Sequence, residues 1–425
     1  MMKRYFAAGG AVLLAACWPL AVGQIGQLLY QDHVVIEENA NVVVDSYDYQ
    51  RGYLSSDIYT NFTFTGPAAE ALLEDGLPIS WQVHSQVQHG LLSITTDNVL
   101  LLDENQRLVV DNIWGSQIEP LHVKTVSQLN GQTEIEVVLN ALNYEESGDI
   151  VSSDTVTLQG SVGLEGNEAW SLMMPAFSIS SSDDERIMLK DLNVSFEGVY
   201  DDGFWLGTQS VSVASVAYES SYQRVHFDNL TFSLLNDLQE EYKFSHNNRW
   251  KLQGVEVDDM LVMRDLTLDV DLQGLDYKAI KQLAGLADGM DDQQRLIDEN
   301  DVALGLDLLF TQGIDLWGFN LGGKFEDKDF SIDGRFTLPA GVARVSQNPF
   351  AALDVISGAV EISAQKELVD TYGVLLLEQL PAWLEQGIVV ENGNDYQTRI
   401  GLEKSQLVFM DDSSLPIFAL LMLLL

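Results

Sequence analysis

From about residue 41 to residue 274 apolar side chains return at every second position, and helix-length patterns are almost absent from that stretch. In SSDIYTNFTF (residues 55–64), Ile58, Thr60, Phe62 and Phe64 share one face of a strand, and Tyr59, Asn61 and Thr63 share the other. The same period runs through residues 80–103, 133–142, 154–164 and 207–221, all rich in Val, Thr, Ile, Ser and Leu. A parallel pair needs a long crossover, usually a helix, so the alternation predicts antiparallel β. One short helix is expected within residues 66–76.

After Gly274 the period changes. Ile280, Leu283, Ala284 and Ala287 fall on one helical face, with Leu304, Leu308 and Leu309 following later. A second helical stretch is expected at residues 365–387, ahead of a hairpin pattern over 388–412. The fold class is therefore α+β: predominantly antiparallel sheet, an N-terminal transmembrane helix, and helices concentrated in the C-terminal third. The organisation reads as a membrane anchor and helical stem (1–40), a β-rich region (41–274), an α+β region (275–414) and an apolar tail (415–425). That tail is expected to dock on the β-surface or the membrane, with Pro416 starting a short helix, or else to be core or frayed. Three segments echo one another around Leu192, Leu230 and Leu266, each leucine following an Asp or Asn that suits a turn before a strand.

Charge limits the partners. With 64 acidic and 22 basic residues the net charge is −42, a field that repels nucleic acid and anionic headgroups. The acids are scattered, and none of their clusters has the spacing of a calcium loop, so neither metal nor cofactor is expected. At the N-terminus, Lys3 and Arg4 precede an uncharged run over residues 5–22, close to the ~20 residues that span a bilayer. Basic residues stay cytoplasmic, which sends the rest of the chain across the membrane. The single cysteine, Cys17, ends a Leu-Ala-Ala-Cys stretch that fits lipoprotein processing, so lipidation at Cys17 and removal of a signal peptide are the alternatives to an uncleaved anchor. No intramolecular disulfide is available to such a chain.

Catalytic motifs are absent: the sequence has no G-x-S-x-G, no H-E-x-x-H and no phosphate loop. Arg51 and Gly52 read as a fixed turn at the mouth of a strand, with Arg51 and Tyr53 as a recognition surface in the alternative. His89, beside Gly90, reads as a hydrogen-bonded strand histidine, and a hydrolase acting around it is the rival. His84 lies five positions earlier, on the opposite face of a regular strand, which makes the two a poor metal pair.

YDYQRGYLSS (47–56), VQHGLL (87–92), LNYEESGD (142–149), LDVDLQGLDYKAIKQL (268–283) and DYQTRIGLEKSQLVF (395–409) occur in an order that resembles the YdgA/YihF-like bacterial envelope proteins, the family of domain of unknown function 945. The resemblance covers most of the chain and implies an inner-membrane anchor with the bulk of the protein in the periplasm. It marks Arg51, Gly52, Tyr53, His89 and Gly90 as family-motif residues without assigning them a role. Two departures stand out: Leu91 follows Gly90 where the family has proline, and the chain stops on leucines. The expected function is a non-enzymatic binding or scaffold role on a long β-surface, toward an apolar ligand or another envelope component.

Overall fold

Strong alternation fixes ladders of neighbouring strands, and the computed structural model of the protein shows them over residues 42–51, 55–74, 77–90, 93–128, 130–164, 166–201, 204–240, 242–258, 260–288, 299–342, 344–348, 350–373 and 379–417. The chain divides into two compact units, one of residues 1–197 and 213–223, the other of residues 198–212 and 224–425. Two long strands, β11 (Arg186–Asp201) and β12 (Phe204–Glu219), contribute residues to both.

The first unit is an antiparallel meander: β1 (Val42–Arg51), β2 (Ser55–Phe64), α1 (Gly66–Glu74), β3 (Ser80–His89), β4 (Ser93–Leu101), α2 (Glu104–Trp114), β5 (Leu121–Gln128), β6 (Thr133–Leu139), β7 (Leu142–Glu146), β8 (Asp149–Ser153), β9 (Val156–Val162) and β10 (Asn167–Ser180). Pairing runs β1-β2-β3-β4-β5-β6-β9-β10, with β7 on β8 and β8 on β10. One face is closed. Ser56, Ile58, Thr60, Phe62 and Phe64 of β2 are all buried, as the alternation requires, and Phe62, Phe64, Trp81 and Val83 pack with Ala68, Ala69 and Leu72 of α1. The helix expected within 66–76 is α1. α2 interrupts a stretch that reads as strand; Asp103 and Gln106 close a reciprocal cap on its first turn, and its Val110, Ile113 and Trp114 enter the core.

β6 and β7 are one strand line with a break, and so are β8 and β9. Leu139 faces Val156 and Leu142 faces Ser153 in the same register, so the gap at Asn140–Ala141 lies opposite the gap at Asp154–Thr155. The third strand, β10, has Pro175 at this level, which can donate no ladder hydrogen bond. On the β5 side Asn140 keeps the register, its N–H donating to the Pro120 carbonyl at 2.9 Å; its own carbonyl, opposite a proline that has no N–H to give, accepts from the Trp114 indole at 3.1 Å. A crease therefore crosses three strands.

The second unit continues the antiparallel pattern through β13 (Arg224–Glu240), β14 (Lys243–Val257), β15 (Met260–Asp276), α3 (Tyr277–Asp288), α4 (Glu299–Gln312), β16 (Ile314–Phe325), β17 (Lys328–Leu338), α5 (Phe350–Leu353), β18 (Ser357–Gln365), α6 (Lys366–Tyr372), α7 (Leu380–Gln386), β19 (Val389–Asn392), β20 (Asp395–Glu403), β21 (Gln406–Val408) and β22 (Ser414–Pro416). The order is β13-β14-β15-β16-β17-β18-β20, with β19 and β21 sharing the far edge of β20. Helical spacing after Gly274 resolves into α3 and α4, and that of 365–387 into α6 and α7. α3 is fastened by the Tyr277 hydroxyl, which donates to Asp201 at 2.7 Å; that bond, with Lys281 nearby, holds the Asp201 carboxyl below the usual carboxylate range. Ile280 of α3 and Leu309 of α4 pack with Phe244, Leu272 and Leu275, covering one end of the sheet.

One local expectation changes. The residues before the echoed leucines, Asp191, Asn229 and Asp265, are not turns ahead of strands; each sits inside a long strand in the left-handed conformation, with φ of 51°, 47° and 51°. Short polar side chains tolerate that conformation, so the strand kinks and continues. Pro416 ends β22, facing Gln406 of β21, and Ile417 directly after it is helical, as the entry to a short helix requires; the rest of the tail lies outside the described residues.

Candidate functional site

The register of the first unit brings two of the motif pairs to one end of the sheet. Arg51 closes β1 opposite Ser56, and His89 closes β3 opposite Ile94, so these two strand ends lie at the same end of the sheet, as do Gln128 of β5 and Val162 of β9. LNYEESGD lies at the other end, around the β7–β8 turn. Gly90 is required by close approach: its N–H donates to the Ser93 carbonyl at 2.9 Å, and a Cβ there would sit 2.7 Å from the same oxygen. Gly52, Tyr53 and Cys17 lie outside the described residues, as do the anchor expected at 5–22 and the tail beyond residue 417. Among the described residues no helix is long and apolar enough to cross a membrane.

The histidines of the first unit's outer face are tied to carboxylates. His84 Nε2 lies 2.9 Å from Asp57 and its ring stacks on Tyr59 at 4.8 Å; His122 Nε2 lies 3.5 Å from Asp97. Unbroken register from Gln82 to His89 gives positions 84 and 89 opposite parity on β3. Among the described residues no group of three or more metal-ligating side chains comes together.

The most distinctive surface belongs to the second unit. Cross-strand partners align in rows: Phe232, Trp250, Leu268, Leu321, Ile332 and Ile362 form one, and Leu234, Asn248, Val270, Phe319, Gly334, Val360 and Ile400 form the next. A third runs Asn236, His246, Leu272, Trp317, Phe336, Gly358 and Leu402. In the first row no side chain is buried; Trp250 is 43% exposed, and Trp317 of the third is 47% exposed. Rings lie close against the floor: Phe232 packs on Trp250 at 4.4 Å between centroids, and the Phe319 ring fills the space that a Cβ of Gly334 would need. Charges occupy the opposite face, where Arg249 pairs with Asp269 and Arg399 lies 3.6 Å from Glu361.

Polar groups on this apolar face are few. The Asn236 amide N–H donates to the Trp205 carbonyl at 3.0 Å, and Asn236 Oδ1 lies 2.8 Å from His246 Nδ1. Burial holds the His246 imidazole below the usual histidine range. On the charged side of the sheet, an open cleft of about 350 Å³ is lined by Asp265, Lys324, Asp329, Ser331, Ser363 and Asp395, with Lys324 3.7 Å from Asp329. Sequence reading passed over the apolar rows; their signal was the run of alternate leucines and aromatics in β13, β15 and β16, which only the register assembles into one surface.

No curated protein and no solved structure is matched by the chain. The family model described as bacterial protein of unknown function (DUF945) matches residues 1–415, nearly the whole sequence and every motif named above, so the chain belongs to that family.

Proposed function

We propose that the protein is a membrane-anchored component of the bacterial envelope, with its bulk in the periplasm, and that it binds an elongated apolar ligand on the sheet face of its second unit without catalysing a reaction. The observation that carries this reading is the set of half-exposed apolar rows. Seven strands at about 4.8 Å spacing give a floor roughly 29 Å long. A bilayer's hydrocarbon core is ~30 Å over two leaflets, so a single acyl chain, about half that length, lies on this floor with room to spare. A contiguous apolar surface that is only part-covered, with Trp250 and Trp317 exposed on it, is of the kind that marks interaction sites. The acidic surface elsewhere disfavours nucleic acid and anionic lipid headgroups, leaving an uncharged apolar partner. Lipid anchoring through Cys17 would place the same surface in the same compartment.

Adjacent residues of β13 supply the test, because Phe232 points to the apolar face and Ser233 to the charged one. With the uncharged fluorophore N-phenylnaphthylamine as probe, Phe232→Asp is expected to weaken binding about tenfold or more, and Ser233→Asp to change it less than about twofold. Equal effects of the two substitutions, or no probe binding by the wild-type chain, would overturn the proposal.

A further inference from the structure

Three neighbouring side chains on the apolar face specify what the head of such a ligand must offer. Among the rows, the polar side chains on β13 and β14 are Asn236, His246 and Asn248; the other polar member, Thr398 at the far edge, already donates to the Ile388 carbonyl at 2.7 Å. Asn236 uses its amide N–H on the Trp205 carbonyl, so its Oδ1 can only accept, and His246 must donate from Nδ1. A neutral imidazole with its proton on Nδ1 has an acceptor at Nε2. Burial favours that neutral form. Two positions along the same face, Asn248 Oδ1 is buried with no hydrogen-bond partner, a second acceptor that lacks a donor.

Resting on the apolar-site reading above, we propose that His246 Nε2 and Asn248 Oδ1 receive the hydroxyl groups of an uncharged single-chain amphiphile of the monoacylglycerol type, whose alkyl chain lies along the rows. Two acceptors about 7 Å apart along the strand suit a ligand with two hydroxyl donors. A carboxylate would present acceptors to acceptors in a chain of net charge −42. An ester or alkane would leave the buried Asn248 oxygen unsatisfied.

Displacement of bound N-phenylnaphthylamine from the full chain at pH 8 decides the matter. Monolauroylglycerol is expected to displace the probe at concentrations about tenfold lower than methyl laurate or laurate. In His246→Leu and Asn248→Leu that preference, measured as the ratio of displacing concentrations within each variant, should fall below about threefold. Asn248→Leu removes a group that has no partner in the protein, so it remains decisive if His246→Leu lowers the melting temperature. Probe binding without head preference, or a preference kept in Asn248→Leu, overturns the head assignment and leaves the apolar site standing. Absence of probe binding removes both.

Discussion

The two units are built on the same alternation and end differently. In the first, the apolar parity of β2 is buried from Ser56 to Phe64; in the second, the equivalent parity of β13, Leu230, Phe232 and Leu234, stays half-exposed. Alternation fixes which face of a strand is apolar. It does not fix whether anything covers that face. What closes the first unit's face lies in connections: α1 and α2 bring Leu72, Val110, Ile113 and Trp114 against it. In the second unit α3 and α4 cover the end around Phe244 and Leu275, and α6 sets Tyr372 against Phe325, while the rows between stay part-exposed.

Truncating one ring in each unit tests the contrast most severely. Phe62→Ala should cost about 3–5 kcal/mol, because a fully buried ring leaves a cavity, whereas Phe232→Ala should cost under about 1.5 kcal/mol. Hydrogen exchange of the β2 and β13 amides measures each locally, and equal losses would erase the distinction between a closed and an open face.

A milder version uses glycine. A Cβ at Gly160 collides with the Trp170 ring, which is 4% exposed, and a Cβ at Gly334 collides with Phe319, which is half-buried. Gly160→Ala should cost about 1–3 kcal/mol, as overpacking does, while Gly334→Ala costs less because Phe319 can swing toward solvent. Urea midpoints at unchanged slope would read the difference. A larger loss at Gly334 would mean that the open face is as rigid as the core.

The smallest effect is a pH dependence. His246 binds its proton less readily folded than unfolded, so as pH falls below about 6.5 the unfolded chain takes up the extra proton and the second unit loses stability. The lowered carboxyls of Asp201 and Asp411 act only below their ordinary value of 3.8, outside this window. His246→Gln should flatten the slope between pH 7 and pH 5.5, measured by exchange in β14. A slope identical to wild type would show that His246 does not titrate there.

Much of the fold was legible because it depends on short-range periods. β2, α1, the helices after Gly274 and the closing strands follow from spacing alone, and antiparallel pairing follows from the lack of crossovers. α2 was hidden between two strand patterns, although Asp103 and Gln106 carry a capping box. The left-handed residues at Asp191, Asn229 and Asp265 look in sequence like turn formers, since the same side chains suit both. The candidate site was the least legible part. It joins Phe232 to Ile362 across 130 positions, and Asn248 differs from any surface asparagine only in having its oxygen enclosed without a donor.

The crease in the first unit has a mechanical consequence. A sheet resists bending through its cross-strand hydrogen bonds, and between Asn140–Ala141 and Asp154–Thr155 the ladder is interrupted, with Pro175 unable to donate beside it, although Asp154 N–H still reaches the Ala176 carbonyl at 3.0 Å. Fewer cross-strand bonds lower the resistance to bending there, so a load on the β7–β8 hairpin should flex the sheet along that line. The Trp114 indole, bonded to the Asn140 carbonyl, is the clasp across that line. Motion of the hairpin is thereby coupled to α2, and the LNYEESGD segment becomes the free end of a lever whose fulcrum is an asparagine.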